Sequence, residues 1–206
     1  RRQRQMCIRD RLAGAQLLPE KREELATLSN ELSILESQFS QNVQDATDAF
    51  GLWFNEQQEL AGVPADILAS FEQAAAVRNR SGYFVGLQTP FYLAIMRHAR
   101  QRELRKKMHY AYVTRASELG DQPQWDNTDL ISAILKKRQK EANLLGYAHY
   151  TELSLVKKMA KTPQQIMNLA QQLLVSAKKA AQQEFAELTV FAKQQLGIEK
   201  LAPWDI

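Results

Sequence analysis

The sequence predicts a mainly α protein, and three observations carry that prediction. Long stretches place apolar residues every three or four positions; eight Gly and six Pro are all that punctuate 206 residues; and one short segment has the aromatic and β-branched character of a strand. The first stretch sets Leu25, Leu28, Leu32, Leu35, Phe39, Val43, Ala46 and Phe50 on one helical face, with Gly51 standing where a left-handed C-terminal cap belongs. Adding Ile34, Leu52 and Trp53 broadens the stripe beyond a coiled-coil seam, which suits packing against several helices of one domain.

Val63-Pro64-Ala65-Asp66 opens a second helix over 64–79, with Ile67, Leu68, Phe71 and Ala75 on its buried side. Gly82-Tyr83-Phe84-Val85-Gly86-Leu87 then reads as the one strand, extended or in a hairpin near 82–88, too little for an independent sheet. Thr89-Pro90 begins the next helix with Pro at its first position, and helical spacing returns over 101–118 through Leu104, Met108, Tyr112 and Ala116. After the loop Gly120–Pro123, Asp126-Asn127-Thr128 caps a helix carrying Leu130, Ile131, Ile134, Leu135, Ala142 and Leu145, and Gly146 stops it. Thr162-Pro163-Gln164-Gln165 has capping-box spacing. The helix it starts carries Ile166, Leu169, Leu173, Ala177, Ala181, Phe185 and Leu188 before Gly197, and would be about 50 Å long.

Composition bounds the function. Hydrophobic residues at 45% and charged residues at 24% are ordinary for a soluble chain of one large or two modest domains. The net charge of +4 is local, because residues 1–22 hold seven basic and two acidic side chains while the remainder holds 20 and 21. It therefore says little about the partners of the folded body. Cys7 is the single cysteine, so neither an intrachain disulfide nor a cysteine metal cluster is available, which fits a cytoplasmic location. No apolar run reaches the eighteen or so residues of a membrane span. Residues 1–11, RRQRQMCIRDR, lack helical periodicity and read as a non-native tail, leaving 12–206 as the folded portion.

No chemistry-bearing constellation emerges, so no catalytic, cofactor-binding or metal residue is assigned. His98 and His109 are eleven positions apart, about 16 Å of rise on a continuous helix, and too far for one metal. His149 has Glu152 three residues on but lacks further ligands. Neither a Gly-x-Ser-x-Gly elbow nor a phosphate-binding glycine loop occurs. Two basic clusters, Arg97, Arg100, Arg102, Arg105, Lys106, Lys107 and then Lys136, Lys137, Arg138, Lys140, are interleaved with Glu103 and Glu141 and read as solvated faces rather than an RNA surface. Trp125, Trp204, Tyr147, Tyr150 and Met159 read as packing residues.

One longer-range pattern stands beside these negatives. Gly82–Leu87 with Pro90, then Arg105, Tyr110, Tyr112 and Arg115, Asp126-Asn127, Ile134-Leu135, Arg138, Glu141-Ala142, Leu144-Leu145-Gly146, Ser154-Leu155, Lys158-Met159-Ala160 and Pro203-Trp204-Asp205 occur in order and at the spacing of a known group. They resemble the oligopeptidase A and thimet oligopeptidase family of M3 zinc metallopeptidases. The resemblance implies a two-lobed helical ellipsoid split by a channel, of which 12–206 would be the amino-terminal, non-catalytic lobe, truncated before the zinc lobe. It implies a parent that is a zinc endopeptidase acting on short peptides, monomeric and cytoplasmic, with no nucleic-acid or membrane partner. The H-E-x-x-H motif of that family is absent from the chain. The expectation is that this portion alone binds no Zn2+, cleaves no peptide, and exposes apolar surface meant for the missing lobe. The competing expectation is a helical protein–protein interaction module using the 25–50 and 163–195 stripes.

Overall fold

A computed structural model of the chain describes residues 8–206. Of the expected tail, residues 1–7, Cys7 among them, lie outside the described residues, and 8–11 are helical. The chain is mainly α, in the order α1 (Pro19–Ala49), β1 (Gly51–Phe54), α2 (Ala65–Ala76), β2 (Tyr83–Gly86), α3 (Thr89–His98), α4 (Arg102–Thr114), α5 (Thr128–Leu144), α6 (Tyr150–Leu155) and α7 (Pro163–Leu196), with short 3-10 turns at Gln57–Leu60, Pro123–Trp125 and Pro203–Asp205. These elements fall into two compact units, one of residues 39–128 with 192–206, the other of the chain up to 38 with 129–191.

The first unit owns a contiguous core. Phe71, Val85, Ile95 and Met108 are wholly buried, and Leu60, Val63, Leu68, Leu87, Ala94 and Leu104 pack around them. Phe71 meets Phe91 edge to face at 4.8 Å between ring centres. The expected strand is present as β2, but its partner corrects the reading of Gly51 as a helix cap. β1 pairs antiparallel with β2 in the register Gly51↔Gly86, Leu52↔Val85, Trp53↔Phe84 and Phe54↔Tyr83. Gly51 and Gly86 thus face one another, and the closer constraint falls on Gly51, since the group against Gly86 is the movable end of a side chain. A Cβ on Gly51 would run into the Phe84 ring, and one on Gly86 into the side-chain amide of Gln88. Arg78 lies over Phe84 at 3.8 Å and Arg80 over Trp53 at 4.3 Å, so the sheet's aromatics are covered by cations rather than by a third strand.

In the second unit the amino-terminal part of α1 buries Leu25, Leu28 and Leu32, while α5 buries Ile134 and Ala142 and α6 buries Leu155. Glutamates of α1 meet cations of α5 in three ion pairs, Glu31–Lys137, Glu36–Arg138 and Glu24–Lys140, at 2.6, 2.6 and 2.9 Å. Half of the capping box expected at Thr162 forms: its hydroxyl accepts from the Gln165 N–H at 3.3 Å, but Gln165 Oε1 accepts at 2.8 Å from the N–H of Lys161, one residue before the cap, rather than from that of Thr162. One packing expectation fails here: Met159 is 96% exposed. The apolar stripe of α7 lies in solvent, with Leu173 61% and Phe185 52% exposed.

Candidate functional site

Residues 102, 105, 109 and 112 recur at steps of three and four, so α4 presents Arg102, Arg105, His109 and Tyr112 along one face. The closing 3-10 turn Pro203–Asp205 packs on that face. Asp205 is the hub. One of its oxygens accepts from Arg102 Nε at 2.9 Å and Arg105 Nη2 at 3.2 Å, and the other accepts from Arg102 Nη2 at 2.7 Å and the Ala202 N–H at 3.0 Å. The Asp205 side chain exposes nothing to solvent. The hydrogen bond from Arg102 holds its carboxyl below the ordinary carboxylate value, with burial pulling the other way. Reciprocally, the Arg102 guanidinium is pushed up by Asp205. Arg105 completes the clamp by donating Nε to Trp204 O and Nη1 to Ala99 O, each at 2.8 Å.

An aromatic row continues from the clamp. The Trp204 ring lies 5.9 Å from His109, whose Nδ1 is 3.3 Å from the Tyr92 hydroxyl. Tyr92 stacks on Tyr112 at 3.9 Å, and the Arg115 guanidinium covers Tyr112 at 3.8 Å. The hydrogen bond from Arg115 lowers the Tyr112 phenol, whereas burial raises that of Tyr92. Two guanidinium charges against one filled carboxylate, with no activated nucleophile beside them, make a fastening of the carboxyl-terminal segment rather than a reaction centre.

The described residues do not fit a catalytic metal. Among the described residues no group of three His, Cys, Asp or Glu side chains could hold an ion. His98 ends α3, and the chain turns extended at Ala99 before α4 begins, so His98 and His109 sit on separate helices. His149 occupies the N-cap of α6, and Glu152 accepts from the Ala148 N–H at 3.1 Å, so the carboxylate beside that histidine serves the cap. Trp125, Trp204, Tyr147 and Tyr150 are half-buried, as packing residues should be. Six cations of the two basic clusters are held by carboxylates: Arg102 and Arg105 by Asp205, Lys106 by Glu103, and the three on α5 by glutamates of α1. Sequence reasoning recorded Arg105 and Asp205 as parts of a pattern without their contact. The signal available was a pair of arginines at i and i+3, which places two guanidiniums on one helical face.

Comparison with known proteins assigns the chain. The model of peptidase family M3 matches residues 95–206, which includes the clamp and all of α7. Oligopeptidase A of Haemophilus influenzae is 40% identical over 196 residues, 95% of this chain and 29% of the relative. Oligopeptidase A of Escherichia coli is 37% identical over 202 residues, 97% of this chain and 30% of the relative. Dipeptidyl carboxypeptidase of Escherichia coli is 30% identical over 195 residues, 94% of this chain and 28% of the relative. The chain therefore spans less than a third of the length of the relatives it matches. With a family match over more than half of its residues, and with such relatives across nearly all of them, the chain belongs to peptidase family M3.

Proposed function

We propose that this chain is the amino-terminal, non-catalytic helical portion of a zinc-dependent oligopeptidase, a cytoplasmic and monomeric endopeptidase of short peptides. The observation that carries the reading is one of coverage: relatives named oligopeptidase A align with 95–97% of this chain, yet the alignment accounts for 29–30% of their length. M3 enzymes are metallopeptidases, and the histidines described here are single, capping or hydrogen-bonded rather than grouped for zinc. On this reading zinc and the groups that work with it come from other parts of the longer polypeptide. Residues 12–206 supply a wall of the structure that admits short peptides, with neither nucleic acid nor membrane as a partner. Among the described residues no helix is long and apolar enough to cross a bilayer.

Two measurements test this. Sequencing the source DNA beyond the codon for Ile206 should show an open frame that reaches H-E-x-x-H. The purified 206-residue chain, supplied with zinc, should neither retain the metal nor cleave a quenched fluorescent peptide, whereas the longer product should do both. A stop codon after Ile206 with no such frame would refute the reading and leave a helical interaction module, the alternative that the exposed apolar face of α7 favours.

A further inference from the structure

Among the described residues the least satisfied surface is α7. Every residue from 164 to 188 is exposed, although the helix carries as many apolar side chains as a buried one. Ile166, Leu169, Leu173, Leu174, Phe185 and Leu188, between 37% and 61% exposed, occupy an arc of ~160° when plotted at 100° per residue. Alanines 170, 177 and 181 fall within the same arc and leave room for a neighbour to approach closely.

The width of the arc decides between occupants. A second copy of this helix would meet it through the narrow seam of a two-stranded coiled coil, repeating every 3.5 residues. An arc approaching half the circumference needs cover from at least two elements, as a helix has inside a larger domain. The length of the relatives says where those elements can come from, because about 70% of each of the two oligopeptidase A chains lies outside the match. Charge adds a condition. Glu184 lies in the middle of the arc and Glu187 at its edge. Glu187 accepts from Gln183 at 3.1 Å. An apolar surface closing over the arc must therefore bring a cation opposite Glu184, or bury that carboxylate uncompensated.

We infer that residues 166–191 of α7 form an intramolecular interface, covered in the longer M3 polypeptide by at least two elements of its remaining part that present apolar side chains and a basic group facing Glu184. The inference rests on the family reading above and locates a surface within it. Its consequence is that α7 becomes a protected helix only in the longer polypeptide.

Amide hydrogen exchange tests it in three samples: this chain alone, intact oligopeptidase A of Haemophilus influenzae, and a chimera of that enzyme carrying this chain in place of the matched 196 residues. The aligned helix should exchange at least tenfold more slowly in the intact enzyme and the chimera than in the isolated chain. Substituting Leu173→Glu should leave the isolated chain's unfolding midpoint unchanged and lower that of the chimera. Equal exchange in the chain and the intact enzyme would overturn the inference. So would protection that appears in the isolated chain as its concentration rises, which would assign the face to a second copy. If the chimera cleaves peptides while α7 stays unprotected, this inference fails and the family reading stands. If α7 is protected in a folded but inactive chimera, the inference stands and the family reading is the one in doubt. The intact enzyme decides the matter should the chimera not fold.

Discussion

The unit around Phe71 and the helix α7 contain similar proportions of large apolar residues and have opposite fates. In the unit of residues 39–128 and 192–206, the stripes of α2, α3 and α4 and the sheet β1–β2 meet one another, and Phe71, Ile95 and Met108 lose all contact with water. In α7 the same 3.6-residue periodicity leaves Leu173 and Phe185 more than half exposed. Periodicity states which face of a helix is apolar; it does not state what covers that face. Burial is a property of the set of elements, and the first unit holds a complete set. Large-to-small substitutions are the sharpest way to test that contrast. Phe71→Ala removes a ring that is 0% exposed and should cost about 3–5 kcal/mol, whereas Leu173→Ala should shift stability by no more than about 0.5 kcal/mol. Urea denaturation followed by far-ultraviolet circular dichroism measures both, and comparable losses would erase the distinction.

The next effect in size lies at the clamp, the polar counterpart of that core. Asp205→Asn keeps the shape but removes the charge between Arg102 and Arg105, and should cost about 2–3 kcal/mol, felt first as faster exchange over residues 198–206. Its pH dependence has a definite sign. The carboxyl of Asp205 is held below its ordinary 3.8, so its stabilisation is fully present above that value and is lost as pH falls through the lowered one. Glu141, which burial raises above 4.5, acts in the reverse sense: its contribution is present below 4.5 and is lost as pH rises through the raised value. The stability difference between the native chain and Asp205→Asn should therefore be flat from neutral pH down to about 4 and shrink below it. A difference that persists unchanged at pH 2 would show that the lost contact was not ionic.

Much of this was legible beforehand, and the gaps have physical causes. Helices announced themselves through period and caps: Asp126 Oδ1 does accept from the Thr128 N–H, at 2.9 Å, and α7 ends before Gly197 at φ +66°. β1 was hidden because Leu52 and Trp53 prolong the apolar pattern of α1, so the glycine before them reads equally well as a cap or as a strand residue. What makes it a strand is Gly86, thirty-five positions away in sequence and its partner in register. The clamp was hidden for the same kind of reason, since Arg102 and Asp205 are separated by 103 positions and no local rule links them. The exposure of Met159 was hidden, because burial depends on which other elements are present, whereas exposed apolar surface of the kind α7 carries was already an implication of the family resemblance.

Buried polar pairs give a smaller, third test of what completes the first unit. Asn127 is 1% exposed, accepts from Asn42 Nδ2 at 2.9 Å and donates to Phe39 O at 3.1 Å. Asn127→Ala leaves the Phe39 carbonyl without that donor in a dry setting and should cost about 1–2 kcal/mol. The unfolding midpoint should fall without a change in the denaturant slope, since the surface exposed on unfolding hardly alters.

The smallest effect belongs to the second unit, where α1 and α5 are joined across their exposed margins by ion pairs. Arg138 reaches Glu36 at 2.6 Å, with side chains 35% and 46% exposed, and its guanidinium lies 5.2 Å from the Tyr150 ring. The geometry is short, yet water competes for both charges and both long side chains lose rotamer freedom, so Arg138→Ala should cost about 0.5 kcal/mol. Raising the salt concentration should separate this pair from the clamp. At about 1 M salt the screening length falls to about 3 Å, so the Arg138→Ala cost should nearly vanish while that of Asp205→Asn, whose carboxylate is shielded from solvent, should largely remain. Equal salt sensitivity at the two sites would mean that the Asp205 clamp opens to water as readily as a surface pair, and the contrast between a closed unit and an uncovered helix would lose its polar half.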